Sequence, residues 1–166
     1  MTEEANRAYL DIETTYDSGI SVIGIHIPQK PLVQLLEWDV TDIGIEAALA
    51  GVDTVVTFNG TRFDLPFIKK VTGLDIRDLA GHTDLLFECR RRGIKGGLKR
   101  VEVLLGIPRP SEMDDSAMAP YLWQRYVEMG DEDALKKLLA YNRDDVVNLQ
   151  ILEEILEGLD TGTGDK

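Results

Sequence analysis

The chain has 166 residues, 43% of them hydrophobic, one cysteine (Cys89) and a formal net charge of -12 at pH 7. This length and apolar share suit one domain with its own core and exclude a disordered tail. The acidity argues against bulk positive charge as a means of holding nucleic acid, and a lone cysteine leaves neither an internal disulfide nor a thiolate metal cluster. No apolar run is long enough to span a bilayer, and Met1-Thr-Glu-Glu-Ala-Asn6 lacks the plan of a signal peptide. A cytoplasmic location without a membrane partner is therefore expected.

The first expected element is a strand. Ala8, Leu10 and Ile12 alternate with Tyr9, Asp11 and Glu13, which puts both carboxylates on one face. Like charges side by side on a half-buried strand raise the pKa of one acid unless a cation lies between them, and a divalent metal meets that need. The competing reading is a solvent-facing strand surface. Turn chemistry at Tyr16-Asp17-Ser18-Gly19 leads to a buried strand over Ile20–Ile27, and Pro28-Gln29-Lys30-Pro31 to a third over Leu32–Trp38. The opening is thus an antiparallel meander. Thr41 and Asp42 cap a helix through Ala50, stopped by Gly51, and Thr54–Phe58 is a parallel fourth strand reached by that helical crossover.

Asn59-Gly60-Thr61-Arg62-Phe63-Asp64 follows, then a helix over Leu65–Val71 with Pro66 in its first turn. Asp64 reads most simply as the N-cap, although loops at the carboxyl ends of strands in open α/β sheets also gather ligand groups. His82–Phe87 supplies a brief fifth strand or passes straight into a helix to Arg92. Gly96-Gly97 opens a helix over Leu98–Leu105, ended by Gly106 and Pro108. Ser111–Asp115 is turn-like, Ala117–Met129 helical, Asp131 the cap of another helix, and a last long helix spans about Leu139–Leu159. The amino end and the tail Asp160–Lys166 are expected to be mobile.

Two features point to chemistry. The run Arg90-Arg91-Arg92-Gly-Ile-Lys95-Gly-Gly-Leu-Lys99-Arg100 holds six of the 18 Lys and Arg residues and no acid, so a patch for phosphates stands against an otherwise acidic chain. Its alternative is a solvated helix surface. Along the final helix, Tyr141, Asp145, Leu149, Leu152 and Leu156 recur at three- and four-residue spacing, placing Asp145 on the core side. Asp144 falls in the same arc, so periodicity does not choose between them. A partly exposed Asp paired with Arg143 or a neighbouring cation is the structural alternative.

Asp11-Ile-Glu13, Asn59-Gly-x-x-Phe63-Asp64 and Tyr141-Asn-Arg-Asp-Asp145 resemble, in order, the three exonuclease motifs of the DnaQ-like, ribonuclease-H-like superfamily with four catalytic acids. The resemblance covers about residues 7–157. His82-Thr-Asp-Leu-Leu-Phe87 and Gly97-Leu-Lys-Arg-Val-Glu-Val-Leu-Leu-Gly106 are similar to the predicted exonuclease branch, which often accompanies bacterial helicase or nuclease modules. Tyr141, four residues before Asp145, resembles the tyrosine type (DEDDy). That selects Asp145 over Asp144, because four residues is just over one helical turn.

The resemblance implies an α/β domain of ribonuclease-H-like fold, with a mixed five-stranded sheet flanked by helices. It implies a 3′–5′ exonuclease acting on single-stranded DNA or RNA 3′ ends, with two divalent ions, Mg²⁺ or Mn²⁺, held by Asp11, Glu13, Asp64 and Asp145. Asp11 would bridge both ions, Glu13 and Asp145 complete the nucleophile-side ion, and Asp64 act at the other. Oxygen-only ligands favour these ions over zinc. Tyr141 would orient by hydrogen bonding, since a phenol with a pKa near 10 stays protonated at neutral pH. Thr14, Asn59 and Phe63 would hold the terminal nucleotide, while Arg91, Lys95 and Lys99 would guide phosphates. His26 and His82 match no catalytic position. The alternatives are a catalytically weak binding or scaffold module of a helicase or repair assembly, and a phosphatase with Asp11 as nucleophile. The latter lacks the second Asp two residues on.

Overall fold

The computed structural model describes residues 5–111, 113 and 115–162. Five strands form one mixed sheet: β1 (Arg7–Thr14), β2 (Ile20–His26), β3 (Val33–Leu36), β4 (Thr54–Thr57) and β5 (Gly81–Asp84), in the order β3-β2-β1-β4-β5. The first three strands pair antiparallel through short turns, while β4 and β5 add to β1 in parallel. The mixed α/β architecture expected from the sequence is the one observed. The structure shortens β3: residues Glu37–Asp39 form a 3-10 turn where strand continued in the sequence reading. It also resolves the choice at His82–Phe87, with strand through Asp84 and α3 (Leu85–Arg91) after it.

Helices cover both faces. Ala8, Leu10, Ile12, Ile23 and Ile25 pack against Ile45 of α1 (Asp42–Ala48), Leu49 just beyond it, and Leu65 and Ile68 of α2 (Asp64–Thr72). On the other face Tyr9 and Val56 meet Leu85 and Cys89 of α3, Val101 of α4 (Leu98–Leu105), and Val146, Leu149, Leu152 and Leu156 of α6 (Glu132–Thr161). Val22 packs there against Ala119, Leu122 and Trp123 of α5 (Met118–Met129) and Leu138 of α6. With both faces covered, the alternation in β1 does not separate core from solvent. It separates one core face from a face holding Tyr9, Asp11 and Glu13, and the solvent-facing reading fails for Glu13, 5% exposed, while Asp11 is half-buried.

The two helices expected after Asp131 are one helix of 30 residues. Asp131 caps it, accepting from Ala134 N–H, and Leu135-Lys-Lys-Leu-Leu-Ala140 contains neither glycine nor proline to interrupt the hydrogen-bond ladder. The helix continues through Asp160 and Thr161, part of the tail expected to be mobile; the rest of that expectation, and the one for the amino end, falls largely on residues 1–4 and 163–166, outside the described residues. The turn expected at Ser111–Asp115 includes Glu112 and Asp114, which also lie outside them. Among the described residues, no helix is long and apolar enough to cross a membrane.

Candidate active site

Strand β1 presents Asp11 and Glu13 toward α6, and the middle of α6 presents Tyr141 and Asp145 back, one turn apart. Asp11, Glu13 and Asp145 each place a carboxylate oxygen within 4.8 Å of the others. Asp64 stands outside that group of three. Contrary to the capping expectation, α2 has Phe63 at its N-cap position and Asp64 as its first residue, with Asp64 Oδ1 accepting from the Ile12 N–H at 3.1 Å. That bond tethers the start of α2 to β1 between the two other acids.

Burial and mutual repulsion govern the protonation of this cluster. Desolvation first, then the charges of Asp145, Glu13 and Asp64, hold the Asp11 carboxyl well above its ordinary value. Glu13 is raised in the same direction by desolvation and Asp145. Desolvation pushes Asp64 up to about 7 against the opposing Ile12 hydrogen bond. Asp145 is raised by desolvation, although Arg109 pulls the other way. Glu13 Oε1 is buried with no hydrogen-bond partner among the described residues. An orphaned carboxylate oxygen inside an all-oxygen donor set fits a hard divalent cation.

Asp145 is not free of protein cations. Arg109 Nη2 donates to Asp145 Oδ1 at 2.5 Å and to Glu102 Oε1 at 2.8 Å, while Arg109 Nε donates to Glu102 Oε2 at 3.1 Å. Of the alternative of a partly exposed, cation-paired Asp145, the pairing exists, with Arg109 as the partner, but the exposure does not: Asp145 is buried, and Arg143 is exposed. Asp144 accepts from the Ser111 N–H at 2.7 Å, so the two neighbouring acids take different roles.

Tyr141 is buried, and Lys99 donates to its hydroxyl and lies 4.4 Å from the ring centroid. Desolvation, then Asp145, Glu13 and Asp11, push the phenol above its ordinary value, so it stays protonated.

A cleft of about 430 Å³ joins these groups, walled by Asp11, Glu13, Thr14, Phe63, Lys99, Arg100, Tyr141 and Asp145 among others. Thr14, Phe63 and Lys99 thus line the same cleft as three of the acids. Asn59, Arg91 and Lys95 are not among its lining residues. Asn59 has a left-handed backbone (φ 64°) and gives its N–H to Asp84, and Arg91 pairs with Glu88. Of the basic run, Arg92 is also committed, to Glu88 and Asp160. A larger cavity, about 850 Å³, is walled by α5 and the first turns of α6 and includes none of the four acids.

Sequence reasoning missed three residues that hold the site. Asp84 accepts from the N–H groups of Asn59, Thr61 and Leu86, clamping the loop that leads to Asp64. Arg109 holds Asp145, and Asn142 touches Asp11. A buried acid ending a strand was the available signal for Asp84; nothing local marked Arg109. The histidines are structural: His26 Nε2 bonds Gln150 at 2.7 Å and His82 Nε2 bonds Thr57 at 2.8 Å.

An uncharacterized protein of Methanocaldococcus jannaschii, MJ0365, is 25% identical over 173 residues, covering 90% of this chain and 94% of that protein. YprB of Bacillus subtilis, also uncharacterized, is 34% identical over 111 residues, 59% of this chain and 26% of that one. In three dimensions the chain is similar to a family B DNA polymerase from Pyrobaculum calidifontis, with TM-score 0.70, 18% identity, and coverage of 92% of this chain against 24% of the polymerase. The fold thus spans about a quarter of that longer chain. The family model for the RNase_H superfamily matches residues 8–157, a span that contains all four acids and Tyr141, and the chain belongs to that superfamily.

Proposed function

We propose that the protein is a metal-dependent 3′–5′ exonuclease that hydrolyses phosphodiester bonds at the 3′ ends of single-stranded DNA or RNA. The observation that carries this reading is the meeting of Asp11, Glu13 and Asp145 within 4.8 Å, with the buried Glu13 Oε1 unpaired. Membership of the RNase_H superfamily supports a nuclease, and the fold it shares with part of a DNA polymerase is consistent with a nucleic-acid substrate.

Asp11, Glu13 and Asp145 would hold one ion, and Asp64 with Asp11 a second. Mg²⁺ or Mn²⁺ held there would lower the pKa of a water toward neutrality and offset charge on the leaving 3′ oxygen. The chain's own groups do the rest. Tyr141, protonated and fixed by Lys99, donates a hydrogen bond into the cleft and orients the reacting groups instead of removing a proton. Phe63, 45% exposed at the cleft, offers a ring for the terminal base, and Thr14 a hydroxyl. Lys99 and Arg100 bring positive charge to an acidic cleft, whereas Arg91, paired with Glu88, and Lys95 do not line it and would meet only phosphates beyond it.

The test is a 5′-labelled single-stranded oligonucleotide with Mg²⁺ or Mn²⁺. The expected outcome is a ladder shortening stepwise from the 3′ end and abolished by chelator. In Asp11→Asn the rate should fall by more than the roughly 10–100-fold that losing an outer partner of a metal ligand costs. Degradation unchanged in that variant would overturn the assignment of Asp11, and internal cuts would overturn the exonuclease reading. The Arg109–Asp145 pair favours one alternative, a nucleic-acid-binding or scaffold module of a helicase or repair assembly with weak turnover. Metal binding without turnover would support it.

A further inference from the structure

Gln34, Gly24 and Asp11 form one row across three neighbouring strands: Gly24 pairs with Gln34 on β3 and with Asp11 on β1. Directly paired residues project from the same face, so this row should send three side chains toward α6. The middle one is missing. Asn142 of α6, fully buried, occupies the space, and a Cβ added at Gly24 would lie 2.2 Å from its Oδ1. A glycine inside a strand marks such a close approach.

The orientation of both amides follows from what each partner can do. The Leu139 carbonyl only accepts, and Gln34 Nε2 lies 2.8 Å from it, so the nitrogen of Gln34 faces α6. The same nitrogen lies 3.1 Å from Asn142 Oδ1. Asn142 therefore turns its oxygen to Gln34 and its nitrogen to Asp11, where Nδ2 lies 3.3 Å from the backbone carbonyl and 3.4 Å from Oδ2. Reversing either amide would set oxygen against oxygen.

We propose that Asn142, oriented by Gln34 and admitted by Gly24, is a positioning residue that fixes the Asp11 carboxylate for cation binding. This rests on the reading of Asp11 as a metal ligand. The chemistry suits the place. A carboxylate amid other acids needs a donor to hold its rotamer, and a cationic donor would compete with a divalent ion for the charge. A neutral amide does not. It engages Oδ2 from one side and leaves the remaining lone pairs of Asp11 for the ion.

The test is calorimetric titration of Mn²⁺ into the wild-type 166-residue chain, Gln34→Met, Gly24→Ala, Asn142→Ala and Asp11→Asn, with folding checked by circular dichroism. Gln34→Met keeps length and neutrality but removes the donor; it lies two strands away from Asp11. Asn142→Ala should weaken Mn²⁺ binding roughly 10–100-fold, with Gln34→Met and Gly24→Ala toward the lower end of that range. A merely structural role would lower melting temperatures and leave the dissociation constant at its wild-type value, and that result in Gln34→Met and Asn142→Ala would overturn the proposal. Should Gly24→Ala not fold, those two variants decide it. Wild-type Mn²⁺ binding in Asp11→Asn would overturn the underlying reading of Asp11. Binding lost in Asp11→Asn but intact in Gln34→Met and Asn142→Ala would overturn the positioning role alone.

Discussion

Arg109 binds two buried acids at once, and its place in the molecule is set by both. Glu102, 3% exposed, takes two of its hydrogen bonds and a third from Asn148 Nδ2, which also reaches the Pro108 carbonyl. A buried pair of this kind is costly to break one-sidedly, because the surviving charge has no solvent to return to. Arg109→Met should lower stability by about 3–5 kcal/mol, and Glu102→Gln added to it should recover much of the loss, as read from urea midpoints of the single and double variants. Equal losses in the single and double variants would mean that packing, and not the orphaned carboxylate, sets the cost. None of this was legible locally. Glu102 reads as one more helix residue and Arg109 as a loop cation, and the bond from Arg109 to Asp145 spans 36 residues of sequence. Asp145 itself was legible only in part: its spacing from Tyr141 and Leu149 puts it on the core side together with Asp144, and the resemblance to the tyrosine-type motif is what singled it out.

At the scale of elements, α6 does two jobs along its length. Tyr141, Asn142, Asp145 and Asn148 line its polar middle, and Leu149, Leu152 and Leu156 bury its carboxyl half against β1, α3 and α4. The second job anchors the first. Leu152→Ala, at a fully buried position, should cost about 2–5 kcal/mol through lost contacts and a residual cavity. Since Leu152 is two turns from Asp145, the Mn²⁺ affinity of the folded protein should stay near wild type, and a large drop would show that the helix transmits core strain to the site. The sequence showed the helical period but divided the element in two. The Asp131 cap is local and legible, whereas the unbroken run from Glu132 to Ala140 carries the same helix on into Tyr141.

For the whole molecule, the acids make stability depend on pH and on cations together. Asp11, Glu13, Asp64 and Asp145 are all raised in the folded state, Asp64 to about 7 from an ordinary 3.8. Between those values the folded chain binds more protons than the unfolded one, so stability falls as pH rises. In chelator, the melting temperature should drop between pH 5 and pH 8, by about 2–4 °C for each kcal/mol lost in a chain of this size. Mg²⁺ or Mn²⁺ should raise it more at pH 8 than at pH 5, because the ion binds the deprotonated acids. A melting temperature that climbs over this range in chelator, or a cation effect independent of pH, would mean that the acids are not buried as a repelling cluster.

What the sequence determined by itself is periodic and local: the strand that puts Asp11 and Glu13 on one face, the helix that stacks Tyr141 over Asp145, and the glycine that ends α4. Period two and period 3.6 dictate which side chains share a face whatever that face meets. Only the tertiary structure decided what it meets. Packing α6 across β1 and β2 brings Asp145 to Asp11, seats Asn142 over Gly24, and draws Arg109 onto the acid that the motif had marked for a metal. Those contacts join residues far apart in the chain, where no period carries information, and burial gives them their strength.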